Sequence, residues 1–440
     1  MKLLWGIKQI DRSLVMIARL FVGGLFTFSG IVKAVDPLGT AYKIDDYLIE
    51  MGLTQLMVLS LPLSLVMVVG EFALGMLLLL GLYRKGTLRL ILLFLLFFTP
   101  LTLWIALANP VEDCGCFGDA FKISNWETFW KNLVLLAALL LLIFNQKKII
   151  PLFGRRMAPL AAGFILLYGL LFSLHNLNRL PLFDFRPYHI GASIPEQMEV
   201  DPELADLYET IFIYSKDGVE KEFTEENYPW NDTTWSYVEM RNRLVREGVK
   251  PAIEDFALTL IQRDETNGSM SFEGDITREL LQEREWLFLM IAYSLEEMEQ
   301  RHLDQFRALH QFAEERGYPF YLVTSSSAEV ITRWEEQQRT GFRFANGDEK
   351  VLKTMVRSNP GLMLLREGVV INKWDDSFLP DPLPGGLTME ESEMVQQGDL
   401  QSGNIMRLLL ISLLLLLPLL ILKVVERKSG AAGKRSQDGV

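Results

Sequence analysis

At 440 residues, half of them apolar and with a positive mean hydropathy, the chain is too long for one soluble core of about 300 residues and too apolar for a wholly soluble protein. Its formal charge of −12 is unevenly spread: residues 176–404 hold 43 acidic against 22 basic side chains, near −21, and the remainder is near +9. That acidic stretch argues against nucleic acid as a partner and against docking on anionic lipid, and serves solubility.

Six runs approach or exceed the length of about 18 apolar residues that crosses a bilayer core, at 13–34, 57–82, 87–108, 129–144 (with Trp126 ahead of it), 158–174 and 408–425. Lys2, Lys8 and Arg12 precede the first run as they would in a signal peptide. Its length and the lack of a small-residue cleavage site predict a retained helix instead. Four basic clusters punctuate the runs: the one just named, Arg84/Lys85/Arg89, Lys147/Lys148/Arg155/Arg156, and Lys423/Arg427/Lys428/Lys434/Arg435. If six spans alternate, all four clusters share one side, and the excess of lysine and arginine makes that side cytoplasmic. The expected product is a multi-pass protein of the cytoplasmic (inner) membrane, in contact with the lipid bilayer. Both termini would be cytoplasmic and residues 177–404 periplasmic, on the oxidising side where a disulfide persists.

Residues 1–146 are expected to form a compact four-helix membrane domain with tight turns. Residues 147–176 carry a fifth helix, 405–426 a sixth, and 427–440 a basic tail. Ionisable residues inside a membrane are costly, so Arg19 in the first helix and Glu71 in the second stand out. At about 1.5 Å per residue their depths differ by roughly a turn. They are expected to meet as a buried polar pair, which would either fix helix register or serve as a proton relay or ligand contact. Lys33 is expected to snorkel to the headgroups from the first outer loop, residues 35–56. With Asp36, Lys43, Asp45 and Asp46 it forms a solvated interface or the mouth of a site shared with the next loop. Trp104, Trp126, Phe129 and Trp130 fit an interfacial aromatic belt. Pro100 and Pro418 are candidate kinks.

The only two cysteines stand in the run Asp113-Cys114-Gly115-Cys116-Phe117-Gly118, between the third and fourth spans. A disulfide across so few residues closes a tense ring, which favours redox chemistry over stapling. Three readings stay open. As a redox pair, one thiolate attacks a partner disulfide or the pair passes electrons to a lipid quinone. As a staple, the bridge closes almost no loop and gains little. As a metal site it lacks companions, because none of the four histidines lies near in sequence. Asp113 and Asp119 are expected to raise both thiol pKa values and weaken nucleophilicity.

The segments Arg19-Leu20-Phe21-Val22-Gly23-Gly24 and Phe28-Ser29-Gly30-Ile31-Val32-Lys33, Glu71 with Gly75, and the cysteine run resemble the DoxX/MauE superfamily of small four-helix membrane proteins. The resemblance covers about the first 145 residues. It implies a membrane bundle and a link to disulfide handling, with Cys114 and Cys116 as the exchanging pair. The whole layout resembles a Bacteroidetes-type family built on that core. Nothing in the sequence speaks to methylamine as a substrate.

In the outer stretch, 177–250 reads as irregular, with a hairpin of 210–214 and 219–223 about Lys216-Asp217-Gly218. Residues 251–380 read as strand 255–260, helix 276–281, buried strand 286–293, helix 299–317, buried strand 319–324, helix 328–338 and a hairpin of 361–366 with 369–373. This order, with Ser358-Asn359-Pro360-Gly361 before the hairpin, resembles a thioredoxin fold in which Pro360 is the cis-proline that accepts a partner's backbone. Where that fold carries its cysteines the chain reads Ser294-Leu295-Glu296-Glu297-Met298-Glu299-Gln300, so this domain cannot itself exchange thiols. His302 and His310 lack a third ligand and read as ordinary residues. Residues 381–404 read as a flexible linker.

The fold class expected is a multi-span α-helical bundle, a four-helix core plus two spans, joined to a soluble α/β domain. The function expected is thiol–disulfide exchange or electron relay at the outer face of the membrane, with the outer domain binding an envelope protein. The alternative is a non-catalytic scaffold whose outer domain recruits that partner. The residues point to no cofactor apart from the candidate quinone.

Overall fold

Continuous apolar composition over at least 18 residues dictates helices here, because a helix satisfies its own backbone hydrogen bonds in lipid. Among the described residues, six helices are long and apolar enough to cross a membrane: Arg12–Val35, Thr54–Leu80, Arg84–Ala108, Asn125–Phe144, Ala158–Leu177 and Asn404–Ser429. All six lie within a few residues of the predicted runs. The computed structural model describes residues 11–437 apart from 112, 202–203, 205–206, 247, 265–267, 383–387, 390–391, 393 and 396–399. The chain divides into two compact units, one of Met1–Arg186, Val356–Ser358 and Pro384–Val440, the other of Pro187–Met355 and Asn359–Leu383.

In the first unit, α1 (Arg12–Val35) is followed by α2 (Pro37–Glu50), a helix where the sequence had suggested only an outer loop. The Asp36 carboxylate caps it by accepting from the Gly39 N–H, and Pro37 presets its first turn. A short 3-10 turn leads into α3 (Ser60–Leu80), which ends on Gly81 in the left-handed region. There follow α4 (Arg84–Ala108), α5 (Asn125–Phe144) and α6 (Ala158–Leu177). Pro100 lies inside α4 and Pro418 inside the C-terminal helix, Leu400–Gln437. Val22 and Phe26 of α1, Leu78 of α3, Ile91 and Leu95 of α4, and Leu135 and Leu139 of α5 share one buried cluster, the four-helix core. Phe72 and Met76 of α3 pack instead with Ala161 and Ile165 of α6 and Leu415 and Leu419 of the C-terminal helix. The Tyr168 hydroxyl adds a hydrogen bond to the Ile411 carbonyl at 2.9 Å. The two extra spans are thus fastened through α3. Large apolar side chains such as Val66, Leu93, Phe97 and Leu420 point outward and fit contact with lipid.

Small residues set the register of α1 against α3. A Cβ at Gly30 would lie 2.4 Å from the Phe72 nitrogen, and one at Gly75 would lie 2.4 Å from the Thr27 nitrogen. The backbones touch, as in helix pairs that associate through glycine.

In the second unit, α7 (Ile194–Met198) precedes β1 (Leu207–Lys216), β2 (Val219–Thr224) and β3 (Ser236–Arg246). These strands form an antiparallel sheet in the order β2-β1-β3. The predicted hairpin is present: Asp217 and Gly218 both have positive φ, as a tight two-residue turn requires. The 11-residue β3 was not foreseen. It is almost wholly exposed on both faces and so lacks the alternation by which strands are read.

The larger sheet contains β4 (Leu258–Arg263), β5 (Met270–Asp275), β6 (Leu287–Ile291), β7 (Phe320–Thr324), β8 (Arg343–Gly347), β9 (Gly361–Arg366) and β10 (Val369–Asp375), in the order β10-β9-β6-β7-β8-β4-β5. Strands β6, β7 and β8 are parallel, and the others pair antiparallel. The runs LFLMI and FYLVT are buried at every position, as inner parallel strands require. Around the sheet are α8 (Thr277–Leu281), α9 (Leu303–Arg316), α10 (Ala328–Gln338) and α11 (Glu349–Met355). Phe306, Leu309 and Phe312 of α9 and Ile331 and Trp334 of α10 supply buried apolar faces. Strands β5 and β8 and helix α11 escaped the sequence reading. Half of the predicted linker lies outside the described residues, and its last residues already belong to the C-terminal helix.

Candidate functional site

The expected Arg19–Glu71 pair does not form. The register set by Gly30 against Phe72 and Gly75 against Thr27 places Glu71 level with the last turns of α1. Arg19 is about twelve residues away along α1, roughly 18 Å at the helical rise. Glu71 instead accepts from the Lys33 ammonium at 2.7 Å, and both side chains are nearly inaccessible, at 7% and 6%. Lys33 therefore does not snorkel. Arg19 donates from Nε to the Leu78 carbonyl at 2.9 Å and also to the carbonyls of Leu79 and Ile150. It thus satisfies orphan carbonyls at the negative end of α3, where a cation is favoured.

The Lys33–Glu71 pair adjoins the cysteine loop. Ser29, one turn before Lys33 on the same face of α1, donates to the Cys116 carbonyl at 2.7 Å. From α2, the Tyr47 hydroxyl donates to the Cys114 carbonyl at 2.8 Å and Lys43 pairs with Asp113 at 3.1 Å. From α5, Thr128 Oγ1 lies 3.1 Å from Cys114 Sγ. Lys131, one turn further, sits 4.5 Å from the centre of the Phe117 ring, which also packs against Phe28. Asn125 holds the start of the loop by donating to Asn109 Oδ1 and to the Val111 carbonyl. Within the loop, Asp113 Oδ1 accepts from the Gly115 N–H at 2.8 Å, and the Cys116 N–H points at Cys114 Sγ, 3.3 Å away. Gly115 has φ +62, and a Cβ there would also press on Lys43 at 3.0 Å, so this position requires glycine.

The two thiols are unbridged, partly buried and hydrogen-bonded to each other. Their environments pull them apart. The hydrogen bond to Cys116 and then burial push the Cys114 thiol up. The same hydrogen bond lowers Cys116 to about 6 against the cost of burial; the cations of Lys131 and Lys33 add to the lowering and Glu71 opposes it. The expectation that Asp113 and Asp119 raise both thiols fails at Cys116, which is lowered; Cys114 is raised, chiefly by the Cys116 hydrogen bond and burial, and Lys43 and the Gly115 N–H engage Asp113. Burial pushes the Tyr47 phenol up, which keeps it a donor to the loop. The two sulfurs thus sit two residues apart in one tethered loop, with the Cys116 N–H aimed at Cys114 Sγ.

Sequence reasoning found the cysteines and Glu71 but missed Ser29, Tyr47, Thr128 and Lys131, and misplaced Lys33. The i,i+4 spacing of Ser29 and Lys33 and the i,i+3 spacing of Thr128 and Lys131 were the available signals. Among the described residues no group of three or more His, Cys, Asp or Glu side chains is placed to hold a metal ion.

In the second unit the Asn359–Pro360 bond is cis, as expected at that position. Asn359 Nδ2 donates to the Ser294 carbonyl at 2.7 Å, and the Glu299 N–H donates to the Asn359 carbonyl at 2.9 Å. Ser326 Oγ accepts from the Leu295 N–H and donates to Glu296. The thiol-free segment after β6 is thereby tied to the turns ahead of β9 and after β7. His302 precedes the first turn of α9 and its ring faces Asp376, while His310 packs edge-on against Phe320 and Phe342; neither is placed as a ligand.

Residues 11–145 match the family model described as Methylamine utilisation protein MauE, and residues 208–247 match that of a Domain of unknown function (DUF8463). The first covers α1 to α5 with the cysteine loop, and the second the three-stranded sheet. No curated protein and no solved structure matches the chain. Residues 11–145 are thus similar to the MauE family, and among the described residues the chain has six helices long and apolar enough to cross a membrane.

Proposed function

We propose that the protein carries out thiol–disulfide exchange at the outer face of the cytoplasmic membrane, through Cys114 and Cys116. The observation that carries this reading is a pair of unbridged thiols two residues apart in a loop tethered on three sides, by Ser29 to the Cys116 carbonyl, Tyr47 to the Cys114 carbonyl and Thr128 beside Cys114 Sγ. As a staple, a bridge between residues two apart would constrain only its own turn. The seven-stranded unit is read as a thioredoxin-like module without thiols. Its run β10-β9-β6-β7, with β6 and β7 parallel and the cis-proline ahead of β9, supports that reading. Its role is then to bind an envelope protein near Pro360.

The test uses the full chain in detergent or nanodiscs, equilibrated with mixtures of reduced and oxidised glutathione before alkylation. The pair should convert reversibly between two alkylatable thiols and one internal disulfide. The wild type should also reduce a disulfide-bonded model peptide faster than the Cys114→Ser/Cys116→Ser double variant. A pair fixed in one state at every glutathione ratio, with peptide reduction no faster than the double variant, sinks the proposal.

A further inference from the structure

A sheet edge offers unpaired N–H and C=O groups to any strand that reaches it, so edges are kept short, charged or covered. Three of the four sheet edges in the second unit follow that rule among the described residues. Strand β2 has six residues, with Glu220, Lys221 and Glu222 in its middle, and β5 has six, with Glu273 and Asp275. Strand β10 is covered by the segment before α7: the Gly191 N–H donates to the Val370 carbonyl and the Val370 N–H to the Ala192 carbonyl. Strand β3 breaks the rule. It runs for 11 residues without proline, is exposed at all positions but one, and pairs with β1 alone among the described residues. Tyr237, Val238, Met240, Leu244 and Val245 are all large apolar side chains left exposed.

What fits this edge is decided by which residues would face each other. Two copies related by a two-fold axis set β3 antiparallel to itself, and directly opposed side chains then point to the same face. Register irregularities at Val238 and Val245 leave residues 239–244 as the regular stretch. An axis through Glu239, Arg241 or Arg243 sets a charge against its own copy, and one through Asn242 sets Arg241 against Arg243. An axis through Leu244 opposes no unlike charges within the strand. An axis through Met240 opposes Glu239 to Arg241 twice, and no like charges meet. Within one copy Glu239 already pairs with Arg241, so this contact closes a ring of four alternating charges. The same register extends an apolar row. Phe223 of β2, Phe212 of β1 and Met240 of β3 lie in line across the sheet, with the Tyr228 ring stacked on Phe212 at 4.6 Å. Met240 against Met240 of a second copy carries that row into the next sheet.

We propose that β3 is the edge through which two copies of this chain associate, antiparallel about Met240, into a six-stranded sheet of order β2-β1-β3-β3-β1-β2. The irregularities at Val238 and Val245 interrupt the ladder, so the contact is short and centred on Glu239–Arg241. Cys114 and Cys116 take no part in it.

The test uses the full chain in its membrane, with Cys114→Ser/Cys116→Ser as background and a single cysteine introduced as Met240→Cys, Arg241→Cys or Leu244→Cys. Copper phenanthroline is added and dimers are read on non-reducing gels. Met240→Cys should cross-link to its own copy, far above Arg241→Cys. Leu244→Cys should stay monomeric, because in this register the two positions lie about 27 Å apart along the strand. Glu239→Arg or Arg241→Glu, added to the Met240→Cys chain, sets like charges opposite at two places and should lower the dimer yield about tenfold. The two reversals together should restore it, a rescue that misfolding does not produce. A cross-link strongest at Arg241→Cys overturns the register. Equal yields at all three positions, no dimer through Met240→Cys, or a cross-link to a different protein overturns the self-pairing.

Discussion

A lysine and a glutamate buried together inside a bundle behave differently from an arginine that reaches backbone carbonyls at a helix end. The first pair holds two opposite charges out of water, so removing one partner strands the other. The second replaces orphan carbonyl hydrogen bonds, and its loss leaves no stranded charge. Double-mutant cycles on thermal unfolding of the detergent-solubilised chain should separate them. Lys33→Gln and Glu71→Gln should couple by more than about 1 kcal/mol, while Arg19→Met and Glu71→Gln should add within about 0.5 kcal/mol. Coupling of Arg19 to Glu71 as large as that of Lys33 would contradict the register described here. These residues were visible in the sequence as costly charges, and Cys114 and Cys116 as a redox candidate. Their pairing was not visible, because depth along two antiparallel helices depends on an offset that hydropathy leaves free by a turn or more. The offset comes from Gly30 meeting Phe72 and Gly75 meeting Thr27, contacts between residues some forty to fifty positions apart.

Helix α1 meets α3 through backbone approach, and the glycines divide into those that permit it and those that do not. A Cβ at Gly30 or Gly75 would fall 2.4 Å from the facing backbone, whereas nothing lies within 4 Å of one at Gly24 or Gly70. Gly30→Ala and Gly75→Ala should therefore push α1 from α3, lower the unfolding temperature and broaden the gel-filtration peak. Gly24→Ala and Gly70→Ala should be neutral or stabilise by about 0.5–1 kcal/mol through helix propensity. Equal tolerance at all four positions would refute the close crossing. Elements that satisfy themselves locally were the legible ones: the six long apolar helices, the hairpin at Asp217-Gly218, and the all-apolar strands β6 and β7. Strand β8 reads RFANG, with a short apolar content that only pairing with β7 and β4 turns into a strand. Helix α2 carried a usable signal in Asp36-Pro37, an N-cap followed by a first-turn proline, but its mixed composition read as a loop.

Across the whole chain, the charge distribution and the span count make one joint statement about topology. Four basic clusters flank the membrane helices on alternating ends, and an excess of about 21 negative charges is collected in residues 176–404. With six spans, the proposed orientation sends that acidic stretch and the cysteine loop to the oxidising side, as exchange chemistry requires. A helical membrane bundle joined to a β-rich unit was legible from composition, because apolar and acidic residues are segregated into long blocks. The turn at Asp217-Gly218 offers a direct check of orientation, since both its residues and the β2 start that follows are exposed and a side chain at Gly218 would meet nothing within 4 Å. Such a turn accepts an inserted epitope without disturbing buried hydrogen bonds. In intact spheroplasts an epitope after Gly218 should be cut by added protease, while one appended after the last residue should be cut only once the membrane is opened. The reverse pattern would place Cys114 and Cys116 in the reducing cytoplasm. A dithiol there would be held reduced by the thiol pool and could act only as a reductant, so inversion would remove the oxidising half of the exchange cycle along with the predicted topology.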